Sequence, residues 1–244
     1  MMSDLKDRVA IITGGNQGIG YAIAESLTRA GCRVAIGARN IEKLDQAASR
    51  LAKLGGSILA TPLDVTDESS VENFFAKVDR EWEAVDILVN NAGAFDGGPV
   101  EDLTLEAWDR VIGACMTGTF LCSRAAFRRM KGKGRGRILN IGSISAQRPR
   151  LGSAPYTAAK FGVWGLTQAL ALEGREHGIV CSCLHPGNVL VERRMETAKP
   201  SDDEPMMATE SIAKAAMAML QLPDDVNFLE AIVLPRDQLY VGRG

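Results

Sequence analysis

Tyr156 and Lys160 stand four positions apart in the stretch Tyr156-Thr-Ala-Ala-Lys160, and Ser143 precedes the pair by thirteen. On a helix, residues with that spacing differ by only about 40° around the axis, so the phenol and the ammonium project from one face as neighbours. The pairing bears on proton chemistry because a free phenol titrates near ~10 and is a poor acid or base near neutrality. Bringing it close to ~7 takes roughly 4 kcal/mol of preferential stabilisation of the phenolate. An adjacent ammonium in a pocket of low dielectric can supply much of that.

The chain also opens with a glycine-rich turn, Thr13-Gly-Gly-Asn-Gln-Gly-Ile-Gly20, at the end of an apolar run. A strand ending in Thr13 and turning sharply into a helix near Ile19 exposes backbone amides to an anion, with Gly14, Asn16, Gln17, Gly18, Ile19 and Gly20 around the turn. The spacing lacks the Gly-Lys-Ser/Thr end of a triphosphate loop. A bare tight turn is the alternative, but the position after the first strand favours a dinucleotide. Turn, phenol and ammonium together point to hydride transfer at a nicotinamide.

At the end of the second strand, where a carboxylate would accept the ribose hydroxyls of NAD, stands Gly37-Ala38-Arg39. Ala38 leaves room for a 2′-phosphate and the planar fork of Arg39 can pair with it, which favours NADP(H). The competing reading makes Arg39 an ordinary exposed charge at a helix start. Asp64, followed by Val65, either accepts from the adenine amino group or caps the next helix.

These residues need elements to hold them. Short apolar runs recur at Val9 to Ile12, Arg33 to Ile36, Ile58 to Leu63, Ile87 to Val89, Ile138 to Ile141, Ile179 to Leu184 and Leu229 to Leu234. Between them, helical spacing marks Ile19 to Ala30, Ile41 to Leu54, Glu68 to Trp82, Leu105 to Met130 and Tyr156 to His177. Strand alternating with helix predicts an α/β fold, a doubly wound, mostly parallel sheet of about seven strands with helices on both faces, Rossmann-like. Pro62 falls late in the third strand, where it removes a ladder donor. The glycines of Lys131-Gly-Lys-Gly-Arg-Gly-Arg137 predict a solvated connector. Residues 1–244 read as one domain, with a substrate loop or lid at about 188–207, where two prolines and dense charge follow a strand end.

Composition narrows the function classes. The 244 residues are 46% hydrophobic, enough for one large core, and carry a formal net charge of -2. Interspersed charges of both signs offer no case for nucleic acid or an anionic membrane. The five cysteines lack metal-ligand spacing, and no metal site is expected. Cys181 and Cys183 alternate with apolar neighbours and read as strand packing. A mixed-charge amino terminus without a long apolar core argues against secretion, so a cytoplasmic location is expected.

The motifs taken together resemble the short-chain dehydrogenase/reductase family over almost the whole chain. They are Thr-Gly-x-x-x-Gly-Ile-Gly at Thr13 to Gly20, Asn90-Asn-Ala-Gly93, Ser143, Tyr156-x-x-x-Lys160 and Pro186-Gly187. The resemblance implies that Tyr156 gives or takes the proton, that Lys160 holds the nicotinamide ribose and keeps the phenol acidic, and that Ser143 bonds the reacting oxygen. It further implies that Asn91, Ala92 and Gly93 pass beneath the adenosine side and that Pro186, Gly187 and Val189 line the nicotinamide. Ser143 as a mere turn residue, and Pro186-Gly187 as a strand-ending turn, are the structural alternatives.

Three positions depart from the family pattern. Cys115 stands where an asparagine usually supports a proton relay, Val191 where a threonine usually meets the nicotinamide carboxamide, and Ser182 where an asparagine is common. The first predicts a slower enzyme rather than a dead one. The tail from Leu222 to Tyr240 is similar to those of NADP-linked 3-hydroxy acid and serine dehydrogenases, which favours a small polar hydroxy or keto substrate; Arg148, Arg150, Arg193 and Arg194 are near enough in sequence to the site to hold its carboxylate, with an ordinary surface charge as the commoner reading of each. The expected function is an NADP(H)-dependent oxidoreductase that interconverts a carbonyl and a secondary alcohol of a small molecule, as a homodimer or homotetramer. The alternative is a catalytically impaired NADP(H)-binding sensor or scaffold of the same fold.

Overall fold

The computed structural model describes residues 4–192 and 204–240. Seven parallel strands form one sheet in the order β3-β2-β1-β4-β5-β6-β7. They are β1 (Val9–Thr13), β2 (Arg33–Ala38), β3 (Ile58–Pro62), β4 (Ile87–Asn90), β5 (Gly136–Ile141), β6 (Ile179–Pro186) and β7 (Glu230–Val233). The helices are α1 (Gly18–Arg29), α2 (Ile41–Ala52), α3 (Glu68–Trp82), α4 (Leu105–Ile112), α5 (Gly118–Lys133), α6 (Ala154–Gly174) and α7 (Thr209–Leu220). Among the described residues no helix is long and apolar enough to cross a membrane.

The period of two along β1 explains the layering. Ala10 and Ile12 face a core built with α1, α2 and α7, while Val9 and Ile11 face a second core built with α3 and α5. Phe74 and Phe75 of α3 are fully buried in the second core, and burial of each such side chain stabilises by about 1.5–3 kcal/mol. Pro62 closes β3 opposite Ala38, at the strand end where a missing N–H interrupts no ladder.

Three sequence expectations change. The Leu105 to Met130 stretch is two helices, joined by a π-helical turn at Gly113–Thr117. The basic stretch 131–137 is not an open connector: Lys131 and Lys133 end α5, Gly134 takes the left-handed backbone (φ 64°), and Gly136 already opens β5. Arg137 is buried there because its guanidinium donates to the carbonyls of Leu222 (2.6 Å) and Pro223. Helix α7 was not anticipated, although Ile212, Ala213, Ala216, Met219 and Leu220 carry its buried stripe at helical spacing.

The strand order reverses between β1 and β4, and in open parallel sheets the crevice at the carboxyl ends beside such a reversal is where ligands bind. Thr13, Ala38, Asn90, Ile141 and Pro186 all end strands on that edge.

Candidate active site

Helices α2, α3 and α4 are each capped by their own side chain: Asn40, Asp67 and Thr104 accept from backbone amides 2.9, 2.9 and 3.1 Å away. Helix α1 has no side-chain cap at Gln17. Its first amide instead donates to the Glu192 carboxylate, 3.3 Å from Gly18 N. A carboxylate therefore sits where the positive end of the helix favours an anion. Gly14 and Gly18 hold φ of 64° and 56°, and a Cβ on Gly20 would lie 2.4 Å from the Gly14 carbonyl oxygen, so the turn admits little but glycine at these points.

Asn91 ties this turn to β4. Its amide nitrogen donates to the carbonyls of Thr13 and Gly14 at 3.0 Å, and the Thr13 hydroxyl accepts from Asn91 N and Ala92 N, also at 3.0 Å. Thr13 was not singled out as a site residue, yet it fixes the spacing between turn and β4. Asn16 is buried, Ile19 packs on the first core, and Gln17 accepts from Lys43 Nζ at 3.2 Å. Ala38 is buried at the end of β2 and Arg39 is exposed beyond it, with no ion pair among the described residues. Asp64 does not cap α3, since Asp67 does. Burial works against the Asp64 carboxylate, but bonds from Thr66 N (3.0 Å) and Thr66 Oγ1 (2.7 Å), with the field of Arg39, hold its carboxyl below the ordinary range. Val65 beside it is buried against Gly118.

Ser143, Tyr156 and Lys160 lie along the end of β5 and the start of α6. Lys160 is buried, and its Nζ donates to the Ile141 carbonyl at 2.7 Å while standing 5.5 Å from the Tyr156 ring centroid. Burial disfavours that ammonium, while the fields of Tyr156, Cys115 and Cys183, once those groups ionise, favour it, and the balance raises the Lys160 pKa. Tyr156 is half-buried in the first turn of α6, and the Phe95 ring meets it edge-on at 5.2 Å. Ser143 follows β5 by two residues in extended backbone, and its Oγ accepts from Ser145 N at 3.1 Å. Sheet and helix thus converge the three groups on one edge.

The departures have visible consequences. Cys115 lies within the π-helical turn, donates through Sγ to the Ala94 carbonyl (3.2 Å) and accepts from Ala94 N (3.4 Å). Its own carbonyl accepts from Thr119 Oγ1 at 2.8 Å. Gly93 is packed beside that thiol. Val191 covers Gly18 from the far side. The Ser182 hydroxyl pairs with Asn227 Oδ1 at 3.0 Å, and Asn227 Nδ2 reaches the Cys181 carbonyl at 3.1 Å, so an amide arrives from a distant segment. Cys181 and Cys183 are fully buried strand residues, and burial pushes the Cys183 thiol up to about 12.

Pro186 ends β6, Gly187 packs under Gln238, and Val189 is buried where it bridges to Met207. Most of the expected substrate loop, with Arg193 and Arg194, lies outside the described residues. Arg150 is already committed: its guanidinium meets Asn188 Oδ1 at 2.7 Å and Glu204 Oε2 at 3.0 Å. Arg148 lies 5.7 Å over the Tyr240 ring. Of the two, Arg150 is engaged by other side chains and Arg148 is exposed.

The family model described as "short chain dehydrogenase" matches residues 8–202. Gluconate 5-dehydrogenase of Gluconobacter oxydans (strain 621H) is 36% identical over 183 residues, 75% of this chain and 72% of that protein. Among solved structures, an alcohol dehydrogenase from the archaeon Thermococcus sibiricus, complexed with 5-hydroxy-NADP, superposes with a TM-score of 0.86 at 29% identity, covering 96% of this chain and 98% of that one. A variant of actinorhodin polyketide ketoreductase with NADPH gives a TM-score of 0.87 at 29% identity and the same coverage.

Proposed function

Because the chain belongs to the short-chain dehydrogenase/reductase family, we propose that it is an NADP(H)-dependent oxidoreductase interconverting a carbonyl and a secondary alcohol on a small molecule. One observation carries the reading: the buried Lys160 ammonium is pinned by the Ile141 carbonyl 5.5 Å from a half-exposed tyrosine ring. A cation that costly to bury needs work to do, and the neighbouring phenol supplies it.

The turn fits a dinucleotide. Its glycines leave a cradle that a side chain would fill, and the open α1 amide already takes a carboxylate. Gly14, Asn16, Gln17, Gly18, Ile19 and Gly20 hold the pyrophosphate end, Arg39 the 2′-phosphate, Asp64 and Val65 the adenine, Asn91, Ala92 and Gly93 the adenosine side, and Pro186, Gly187 and Val189 the nicotinamide. When bound, the cofactor supplies or accepts the hydride.

Tyr156 donates its phenolic proton to the carbonyl oxygen in reduction and takes it back from the alcohol in oxidation. Lys160 stabilises the phenolate that results, and Ser143 donates to the same oxygen. The chain works as one domain, with the loop at 188–207 choosing the substrate. We place it in the cytoplasm. The exposed apolar residues Leu105, Trp108, Met116, Phe120 and Phe161 along the π-turn and α4–α6 support a homo-oligomer. A sensor or scaffold without chemistry is disfavoured, because a protein that only binds the cofactor has no need for an activated phenol.

Purified protein mixed with NADPH and a carbonyl panel should oxidise NADPH, read as loss of nicotinamide absorbance. Tyr156→Phe should lower kcat by on the order of 10²-fold or more, as loss of a general acid does, and leave the Kd for NADPH nearly unchanged. Full activity in that variant would sink the role of the phenol.

A further inference from the structure

A buried titratable side chain that this reaction does not use is His185. It lies on β6 with no exposed surface, and its Nδ1 stands 2.9 Å from Ser143 O and 3.3 Å from Ser143 N. The residue that follows is Pro186, which has no N–H to lengthen the β5–β6 ladder, so the imidazole carries strand-to-strand bonding one residue further. Gly142 makes the space: a Cβ there would lie 2.6 Å from His185 Nδ1. The Trp164 ring closes one side, edge-to-face at 5.7 Å.

The far nitrogen, Nε2, is buried and has no hydrogen-bond partner among the described residues. It faces Glu230 Oε1 on β7 at 3.4 Å. That carboxylate is itself fixed, accepting from Gln147 Nε2, and Gln147 Oε1 accepts from the Tyr240 hydroxyl. A line of contacts thus runs from the Ser143 backbone to His185, across the 3.4 Å approach of Nε2 to Glu230, and on by hydrogen bonds through Gln147 to Tyr240.

We propose that His185, held from behind by Glu230, is a positioning residue that grips the Ser143 main chain and so aims the Ser143 hydroxyl at the reacting oxygen. The proposal rests on the reading of Ser143 given above. Both tautomers of the neutral ring provide the grip. With the proton on Nδ1 the ring donates to Ser143 O; with it on Nε2 the ring donates toward Glu230 and accepts from Ser143 N. Glu230 favours the second form, whereas the shorter contact, Nδ1 to Ser143 O at 2.9 Å, favours the first, since the second sets two lone pairs against each other there.

Three substitutions separate positioning from bulk packing. In His185→Asn the amide falls at the place of Nδ1 and keeps the grip on Ser143; in His185→Gln it falls near Nε2 and keeps only the Glu230 contact; His185→Ala keeps neither. With a ketone that the wild type reduces, His185→Ala and His185→Gln should lower kcat by on the order of 10-fold, the scale of a misaimed reacting group, with the NADPH Kd unchanged. His185→Asn should recover most of that loss. In a Ser143→Ala background the His185→Ala change should cost little more, because the two act as one unit.

Equal losses in the asparagine and alanine variants, or an undiminished His185→Ala effect in the Ser143→Ala background, would overturn the proposal. Full activity in Ser143→Ala alone would instead defeat the assignment of Ser143. A readout without substrate exists because the sequence holds two histidines, His177 and His185. In imidazole NMR, Glu230→Gln should move the His185 resonances and leave those of His177 in place; unmoved His185 signals would break the link.

Discussion

Replacing Arg39 with alanine should convert a cofactor preference into near indifference. Arg39 follows the last residue of β2, is exposed and makes no ion pair among the described residues, so its guanidinium is free to meet a 2′-phosphate. A hydrogen bond to a charged group is worth about 1.5–3 kcal/mol, and solvent screening at an exposed arginine puts the value near the lower end, about 1.5–2 kcal/mol. At 1.4 kcal/mol per tenfold, the NADPH Kd should weaken roughly 10- to 30-fold. NADH, which lacks that phosphate, should bind as before. Titration of nicotinamide fluorescence with both cofactors gives the two constants directly. Raising ionic strength from about 0.1 to 1 M shortens the screening length from about 10 to 3 Å, so the wild-type preference should narrow with salt and that of Arg39→Ala should not. An Arg39→Ala protein that binds NADPH within about twofold of wild type, with the same salt response, would refute the phosphate role.

Glu192→Gln removes the carboxylate that sits on the Gly18 amide and should tighten NADPH about fivefold, the equivalent of about 1 kcal/mol of lost competition at a helix N-terminus; calorimetry of both proteins checks it. Cys115→Asn exchanges a thiol's weak contacts with the Ala94 peptide for amide bonds. It should add about 1 kcal/mol of stability and raise kcat, and unchanged steady-state turnover would remove Cys115 from the relay. Burial holds the His185 pKa below its ordinary value, against the opposing pull of Ser143 and Glu230. In the window just below the unfolded value of about 6.5, the unfolded chain takes a proton that the native ring refuses. Stability is therefore full above about 6.5 and falls as the pH drops toward the native pKa, by at most about 1.4 kcal/mol per unit from this residue. Urea unfolding at stepped pH should show this slope in the wild type and its loss in His185→Asn.

The glycine turn, the Tyr156–Lys160 pair and the seven strands were all readable along the chain, because each is a local period or spacing that the backbone converts directly into geometry. The π-turn at Gly113–Thr117 was not: 105–130 has continuous helical spacing, and the break belongs with a thiol bonded to a peptide 21 positions away. Arg137 looked solvated until carbonyls 85 and 86 positions distant filled its guanidinium. His185 drew no reading from the sequence, since nothing near it in the chain announces Ser143 or Glu230.

Fold class and the Tyr156–Lys160 pairing thus follow from short-range pattern alone. What holds the serine, neutralises Arg150 and closes the α1 amide depends on the register of parallel strands, which brings together side chains such as Gln147 and Glu230, 83 positions apart. Periodicity says which way a residue faces its own element. Only packing selects the partner it meets there, because that choice minimises unsatisfied charge and hydrogen bonding across the whole sheet.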